Sequence, residues 1–229
     1  MGVKAKIGAI DLAGTELVRL GLVDRYSNFA EDGACIPAVY EQITNIDTYE
    51  RHKANVISLT IGGNDNSFAA MERRRHLGAA TSYERSMIVI KARHDALVAW
   101  LLRQFPNSVL IVNNSYDVTD GLGKLPNCGS WTPIVDEYSR GRRELGDHLR
   151  AVYGGDIKWK RVIFHDIFKH FDGRGFKSGN VYKDGLYYKD FLIEPGHVGA
   201  QEIAGLWVQS VIDLCKDSQE ENHILSFSH

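Results

Sequence analysis

The sequence predicts an α/β domain, a parallel sheet flanked by helices in the flavodoxin-like, three-layer α/β/α arrangement. Two observations carry this. Strand-like and helix-like patterns alternate along the chain instead of segregating, as successive βα units require. The run over 55–61, Asn-Val-Ile-Ser-Leu-Thr-Ile, is nearly all apolar or β-branched and ends on Gly62-Gly63-Asn64-Asp65. That reads as a buried strand closing on a tight turn. Composition agrees: 229 residues, 44% hydrophobic and 24% charged, suffice for one substantial core.

Each element has its own signal. Thr15 to Leu22 reads as a short helix, and Tyr26 to Phe29 as a strand ending at Ala-Glu-Asp-Gly33. Pro37 to Ile46 reads as a helix before the strand Val56 to Ile61. Tyr83 to Phe105 is a long amphipathic helix with Ile88, Ala92, Leu97 and Leu101 near one face, stopped by Pro106-Asn107. Ser108 to Val112 is a second buried strand. Trp131 to Tyr153 is a helix closed by Gly154-Gly155, and Arg161 to Phe164 is a strand followed by Asp166. The segment Asp172 to Asp190, rich in Gly, Lys and Tyr, reads as an ordered surface loop. Gly199 to Leu214 is the closing amphipathic helix. One domain over 1–215 and a polar, frayed tail over 216–229 are expected.

Bulk properties exclude several function classes. A net charge of -2 and a pI near 6.5 give no polyanion footprint, so no nucleic-acid partner is expected. Arg73-Arg74-Arg75 sits beside Glu72 and His76 and reads as a solvated helix face. No stretch is long and apolar enough for a transmembrane segment. The N-terminus lacks a signal-peptide core, and Lys6 breaks the myristoylation pattern that Met1-Gly2 begins. A cytoplasmic location is the default, and a secreted one follows if the true N-terminus lies upstream. Cys35, Cys128 and Cys215 have no zinc spacing and read as incidental thiols. A Cys35–Cys128 disulfide requires export. A nucleotide-binding reading is weak, since no Gly-x-Gly-x-x-Gly or Walker-type loop follows a strand.

The chemistry concentrates at Gly62 to Asp65. In open α/β sheets, ligands lie beyond the carboxyl ends of the strands. Gly62 and Gly63 permit backbone geometry and close approach that a side chain forbids. Asn64 offers amide N–H groups that can stabilise a developing oxyanion. Asn is also an ordinary turn residue, and Asp65 reads as a cap for the helix that follows. His165 and His170 flank Asp166 after a strand and are expected to be satisfied or solvated. Asp117 and Asp120 fit Asx-turn chemistry. Tyr182, Tyr187 and Tyr188 can line a pocket or anchor a loop.

With Gly33, Gly62-Gly63-Asn64-Asp65 and Glu194-Pro-Gly-His197 in that order, the chain resembles the SGNH/GDSL hydrolases. These are serine esterases and lipases with a flavodoxin-like fold. The resemblance implies a small-molecule ester as substrate: an acyl ester, an acetylated sugar or a lysolipid. It implies an acyl-enzyme route without a cofactor. Gly33 N–H and Asn64 would form the oxyanion hole, and the segment Glu194 to Ala204 would supply the base. The family's Gly-Asp-Ser block has no counterpart. Gly8-Ala-Ile-Asp-Leu-Ala-Gly14 copies its spacing, but Ile10 holds the nucleophile position, and aliphatic carbon cannot attack an ester. Ser27 is too close to Gly33 to sit on a loop of its own.

Two frames fit the last block. One takes Pro195, Gly199 and Ile203-Ala204 as markers and puts Glu194 where the histidine belongs. The other takes Glu194 and His197 as the acid–base pair, a carboxylate holding an imidazole tautomer. For the missing block, two explanations stand. Either the chain begins downstream of the true start, with the first, central strand missing as well, or it is a catalytically inactive ligand-binding or interaction module. Ester hydrolysis by these residues alone is expected at background.

Overall fold

The computed structural model describes residues 8–67, 69, 82–122, 135–155, 161–177 and 195–226. It divides into two compact units, one formed by Met1–Phe29 with Asp184–His229 and the other by Ala30–Lys183.

In the first unit, α1 (Ala9–Arg19) packs on α8 (His197–Ser226). Helix α1 starts earlier than the sequence suggests, because Gly8 is its N-cap and the Asp11 carboxylate accepts the Gly8 N–H at 3.3 Å. That bond satisfies an otherwise orphaned donor. The stretch that mimics a nucleophile loop is therefore helix. Ala13, Gly14 and Leu17 form its buried face, and Ala200, Ile203, Ala204, Trp207 and Val211 that of α8. Tyr26 to Phe29 is not a strand. It has no ladder partner among the described residues, and a strand exists only by pairing. The Tyr26 ring instead lies against Gly14, where any Cβ would collide with it. Helix α8 runs on through Ser226, past the tail expected to fray at Lys216, because no Gly or Pro interrupts 206–226.

The second unit carries the sheet. In order come α2 (Ile36–Thr44), α3 (Thr48–His52), β1 (Val56–Thr60), α4 (described over 63–67), α5 (Ser82–Gln104), β2 (Val109–Asn113), α6 (Val135–Tyr153), β3 (Val162–His165) and α7 (Ile167–Phe171). The strands are parallel in the order β1-β2-β3. Thr60 pairs with Asn113, and Asn113 with His165, so these residues mark one carboxyl edge. β2 is central, and Leu110, Ile111 and Val112 are all buried, as a strand covered on both faces must be. Leu110 and Val112 join the core that α2, α5 and α6 build over β1.

Helix α5 corrects one expectation. Ile88 is 66% exposed and Ala92 is exposed, while Tyr83, Met87, Ile90, His94, Leu97, Val98 and Leu101 are buried. The buried stripe follows the three- and four-residue spacing through His94, which an apolar-only reading skips. Cys128, Arg73 to Arg75, Tyr182, Tyr187 and Tyr188 lie outside the described residues, as do 131–134 of the expected helix. No described helix is long and apolar enough to cross a membrane.

Candidate functional site

The site begins where β1 ends. Gly62 takes φ +98°, in the left-handed region, and its carbonyl accepts the Asn66 N–H at 3.1 Å, which opens α4. A Cβ at Gly62 would stand 2.7 Å from Leu145 Cδ2, so glycine is required by conformation and by space. Further into α4, buried Asn66 presses on Gly141 of α6, where no side chain fits. Ser67 Oγ donates to the Gly63 carbonyl at 2.9 Å.

Two side chains of this turn reach the loop that carries Gly33. Asn64 Nδ2 donates to the Ala34 carbonyl at 3.1 Å. Asp65 accepts the Ile36 N–H at 3.0 and 3.2 Å. Asp65 thus caps α2, not the helix that follows it. The reason is local: the N-cap of α2 is Cys35, which makes no side-chain cap bond, so the orphaned donor is met from across the fold. Burial raises the Asp65 carboxyl above its ordinary range, against the pull of the Ile36 N–H and the Arg93 charge. Burial also raises the Cys35 thiol, and the charge of Asp65 adds to it. Cys35 is therefore a weak nucleophile despite its position.

Gly33 itself takes φ +77°, is exposed, and faces open space where a Cβ would be. Among the described residues its N–H has no partner. The turns holding Gly33 and Asn64 are thus tied together by two side chains. One exposed backbone N–H and the second Asn64 amide N–H remain to donate. The sequence does not display this bond pattern, which joins residues about 30 positions apart.

The other expected residues divide. Asp117 is the Asx residue of its loop, accepting from Thr119 N at 2.9 Å, Thr119 Oγ1 at 2.6 Å and Gly121 N at 3.0 Å. Asp120 accepts the Gly175 N–H. Asp166 caps α7 and receives Asn114 Nδ2 at 2.8 Å and Arg150 Nε at 2.6 Å. Burial opposes its charge, but Asn114, the Lys169 N–H and Arg150 together hold the carboxyl below its usual value. His165 ends β3 half-buried, its imidazole pKa lowered by burial, and His170 is exposed on α7. His197 is the first residue of α8, exposed, in the other compact unit. Glu194 lies outside the described residues. Among the described residues, no cluster of His, Cys, Asp or Glu could hold a metal ion.

Three residues at the turn carry no sequence signal. His94 of α5 is fully buried beneath Gly62, its Cδ2 3.9 Å from where a Gly62 Cβ would be. Neither ring nitrogen has a hydrogen-bond partner among the described residues. Burial depresses its pKa to about 4, with Asp95 pulling upward and His148 downward. Ser115 and Arg142 flank Gly63: a Cβ there would lie 2.9 Å from Ser115 Oγ and 3.2 Å from the Arg142 guanidinium. Position at the end of β2 was the only available hint for Ser115; Arg142 lies mid-helix and had none.

No family model matches the chain, and no curated protein does. Solved structures do. A protein described as a GDSL-like lipase from Parabacteroides merdae matches with a TM-score of 0.56 at 17% identity, covering 89% of this chain and 81% of its own. The lipase Lip_vut3 from a goat rumen metagenome matches with a TM-score of 0.63 at 11% identity, covering 92% and 90%. At such identities the likeness establishes the fold: this chain has the α/β fold of the SGNH/GDSL hydrolases.

Proposed function

We propose that this chain is built around the ester-binding site of an SGNH-type hydrolase, with Gly33 N–H and Asn64 Nδ2 as the oxyanion donors. One observation carries the reading. Asn64 and Asp65, just past the end of β1, bind the backbone of the Gly33 loop at Ala34 and Ile36, which supports a reading in which the two turns act together. Fixed donors stabilise charge on a carbonyl oxygen without reorganising at the moment it develops. The two lipases of the same fold make esters the first ligands to try. In this reading His197, with Glu194 as its carboxylate, is the proton shuttle.

The Gly-Asp-Ser serine is not among the 229 residues, and Ile10 at the matching spacing is inside α1. These residues therefore bind and polarise an ester without completing acyl transfer. The expected result is background hydrolysis of p-nitrophenyl acetate and no serine labelled by a fluorophosphonate. A slowly hydrolysed ester such as dimethyl succinate should shift the amide resonances of Gly33 and of the Asn64 side chain, and Asn64→Ala should weaken its binding. Robust turnover, or shifts confined to other residues, would overturn the proposal. A second reading, a module that binds ligands and never catalyses, is favoured by the same absent serine. Restored hydrolysis on adding a peptide that carries an apolar strand and Gly-Asp-Ser would exclude it.

A further inference from the structure

We propose that His94 is a proton-operated release for the β1 turn: a proton on its ring displaces Gly62 and frees the Gly33 loop from Asn64 and Asp65, so that the ester site opens in acid while the sheet stays folded. The opening stands on the packing beneath the turn, and its consequence for ligands rests on the ester-site reading. His94 sits midway along α5 with its ring under the turn, Cδ2 3.9 Å from the position of a Gly62 Cβ. The ring is fully buried, and neither nitrogen has a partner among the described residues. Buried polar side chains are nearly always paired, so this one is an exception with a consequence. A proton taken from solvent would make it a cation with two N–H donors and no acceptor in place.

The ionisable groups around the ring do not relieve that charge. On α5 itself, Arg93 acts on Asp65, and Asp95 accepts the Tyr153 hydroxyl at 2.9 Å and lies 2.9 Å from His148 Nε2. From α6, His148 opposes a charge on the ring, Tyr153 lies 6.3 Å away between ring centroids, and Arg142 flanks Gly63. The turn brings Asp65, whose oxygens hold the Ile36 N–H. Both carboxylates are thus engaged elsewhere. The element that yields is the turn. Helix α5 is 23 residues long and anchored along its buried stripe. The turn is held by the Asn66 N–H on the Gly62 carbonyl and by Ser67 Oγ on the Gly63 carbonyl. Segments with few bonds open before helices packed in a core. Lifting Gly62 admits water to the ring and carries Asn64 and Asp65 away from Ala34 and Ile36.

Burial depresses the His94 pKa to about 4 from an ordinary 6.5. The closed turn therefore binds the proton more weakly than the open one, and acid favours the open one. Between pH 7 and pH 5 these two values shift the ratio of open to closed about twentyfold. Amide hydrogen exchange of the 229-residue chain reads that ratio at Ile36 and Asn66, whose N–H groups bond to the turn. Corrected for intrinsic chemistry, their protection should fall about twentyfold from pH 7 to pH 5. Low urea should leave it unchanged, since a local opening exposes little surface. His94→Gln, which does not titrate, should abolish the fall, and His94→Leu repeats the measurement if the glutamine variant does not fold. Dimethyl succinate, uncharged at both pH values, should raise the protection of both amides at pH 5, and Asn64→Ala should remove that rise.

Constant protection between pH 7 and pH 5, or a fall that persists in His94→Gln and His94→Leu, would overturn the release. The ester site would still stand if dimethyl succinate shifts Gly33 and Asn64 at pH 7. Exchange at Ile36 and Asn66 that depends on urea and matches that of Leu110 to Val112 in β2 would also overturn the release, since the turn would then open only by unfolding of the whole sheet. A fall that depends on His94 but is not countered by the ester would overturn the ester site and leave the release standing.

Discussion

The turns that follow β1 and β2 stand side by side on one edge of the sheet and treat their polar groups in opposite ways. At and after the end of β2, Asn113, Asn114 and Asp117 all have partners within the fold. Asn113 Nδ2 lies within bonding distance of Ser58 Oγ, the Leu59 carbonyl and the Ile111 carbonyl. Asn114 bridges Asp166 and the Phe168 N–H, and Asp117 gathers three donors of its own loop. After β1, side chains reach outward to Ala34 and Ile36, and an exposed Gly33 N–H is left with no partner among the described residues. The contrast continues inward, where His94 lies under Gly62 and neither ring nitrogen has a partner among the described residues. Self-satisfied polar groups build a scaffold, and open ones face a ligand. Breaking each turn should therefore have different consequences.

The largest effect is expected at Gly62. Gly62→Ala adds a strained left-handed backbone and a contact at 2.7 Å with Leu145 Cδ2, together about 3 kcal/mol. Gly121 in the other turn has a similar φ, +84°, but a Cβ there meets only Arg143 Nη2 at 3.4 Å. Gly121→Ala should cost about 1 kcal/mol, the backbone share alone. Urea unfolding of the two variants at pH 7 checks the difference. Equal losses would mean that packing beneath the β1 turn contributes nothing.

Acid should act on the β1 side next. His94 is depressed to about 4 in the folded state, against an ordinary 6.5. The unfolded chain then binds the proton first, so the stability it contributes is full above pH 6.5 and is lost as pH falls toward 4. Between pH 7 and pH 5 the loss attributable to this residue is about 2 kcal/mol. Asp95 and His148 share its surroundings, and His148 Nε2 lies 2.9 Å from Asp95. His94→Leu should flatten the slope of stability against pH in this window. An unchanged slope would assign acid sensitivity elsewhere.

What the sequence could and could not display follows the same contrast. The strands at 56–61 and 108–112 were legible to within a residue, because β-branched runs and buried neighbours coincide. The tight turn after β1 was legible because two glycines directly follow the β-branched run. The start of α1 was missed because Gly8 looks like a breaker until the Asp11 cap is seen. Tyr26 to Phe29 was misread because alternation does not supply a partner strand. The buried stripe of α5 passes through a histidine, which no apolar pattern registers. Asp65 was assigned to the wrong helix because its partner, Ile36, lies 29 residues away. Ser115 and Arg142 meet Gly63 only through tertiary packing. Glu194 was outside the described residues, so its pairing with His197 stays a proposal.

Asp117 and Asn64 give the smaller and sharper contrast. Asp117→Ala strands the N–H of buried Thr119, while the exposed Gly121 N–H can turn to water, at a cost of about 1.5 kcal/mol, and should not alter ester binding directly.

Asn64→Ala removes a single bond, Nδ2 to the Ala34 carbonyl, while Asp65 still holds Ile36 and so keeps the two turns together. Its stability loss should stay below about 1 kcal/mol, since the freed carbonyl is only part-buried and can be met by water. Its effect on binding should be larger than its effect on folding, because the second amide N–H has no role among the described residues unless a ligand accepts it. Measured on one sample, a near-normal unfolding midpoint with a weakened ester titration would mark Asn64 as a donor held for a ligand. A loss of stability matching that of Asp117→Ala, with ester affinity intact, would make the β1 turn a scaffold of the same kind as its neighbour.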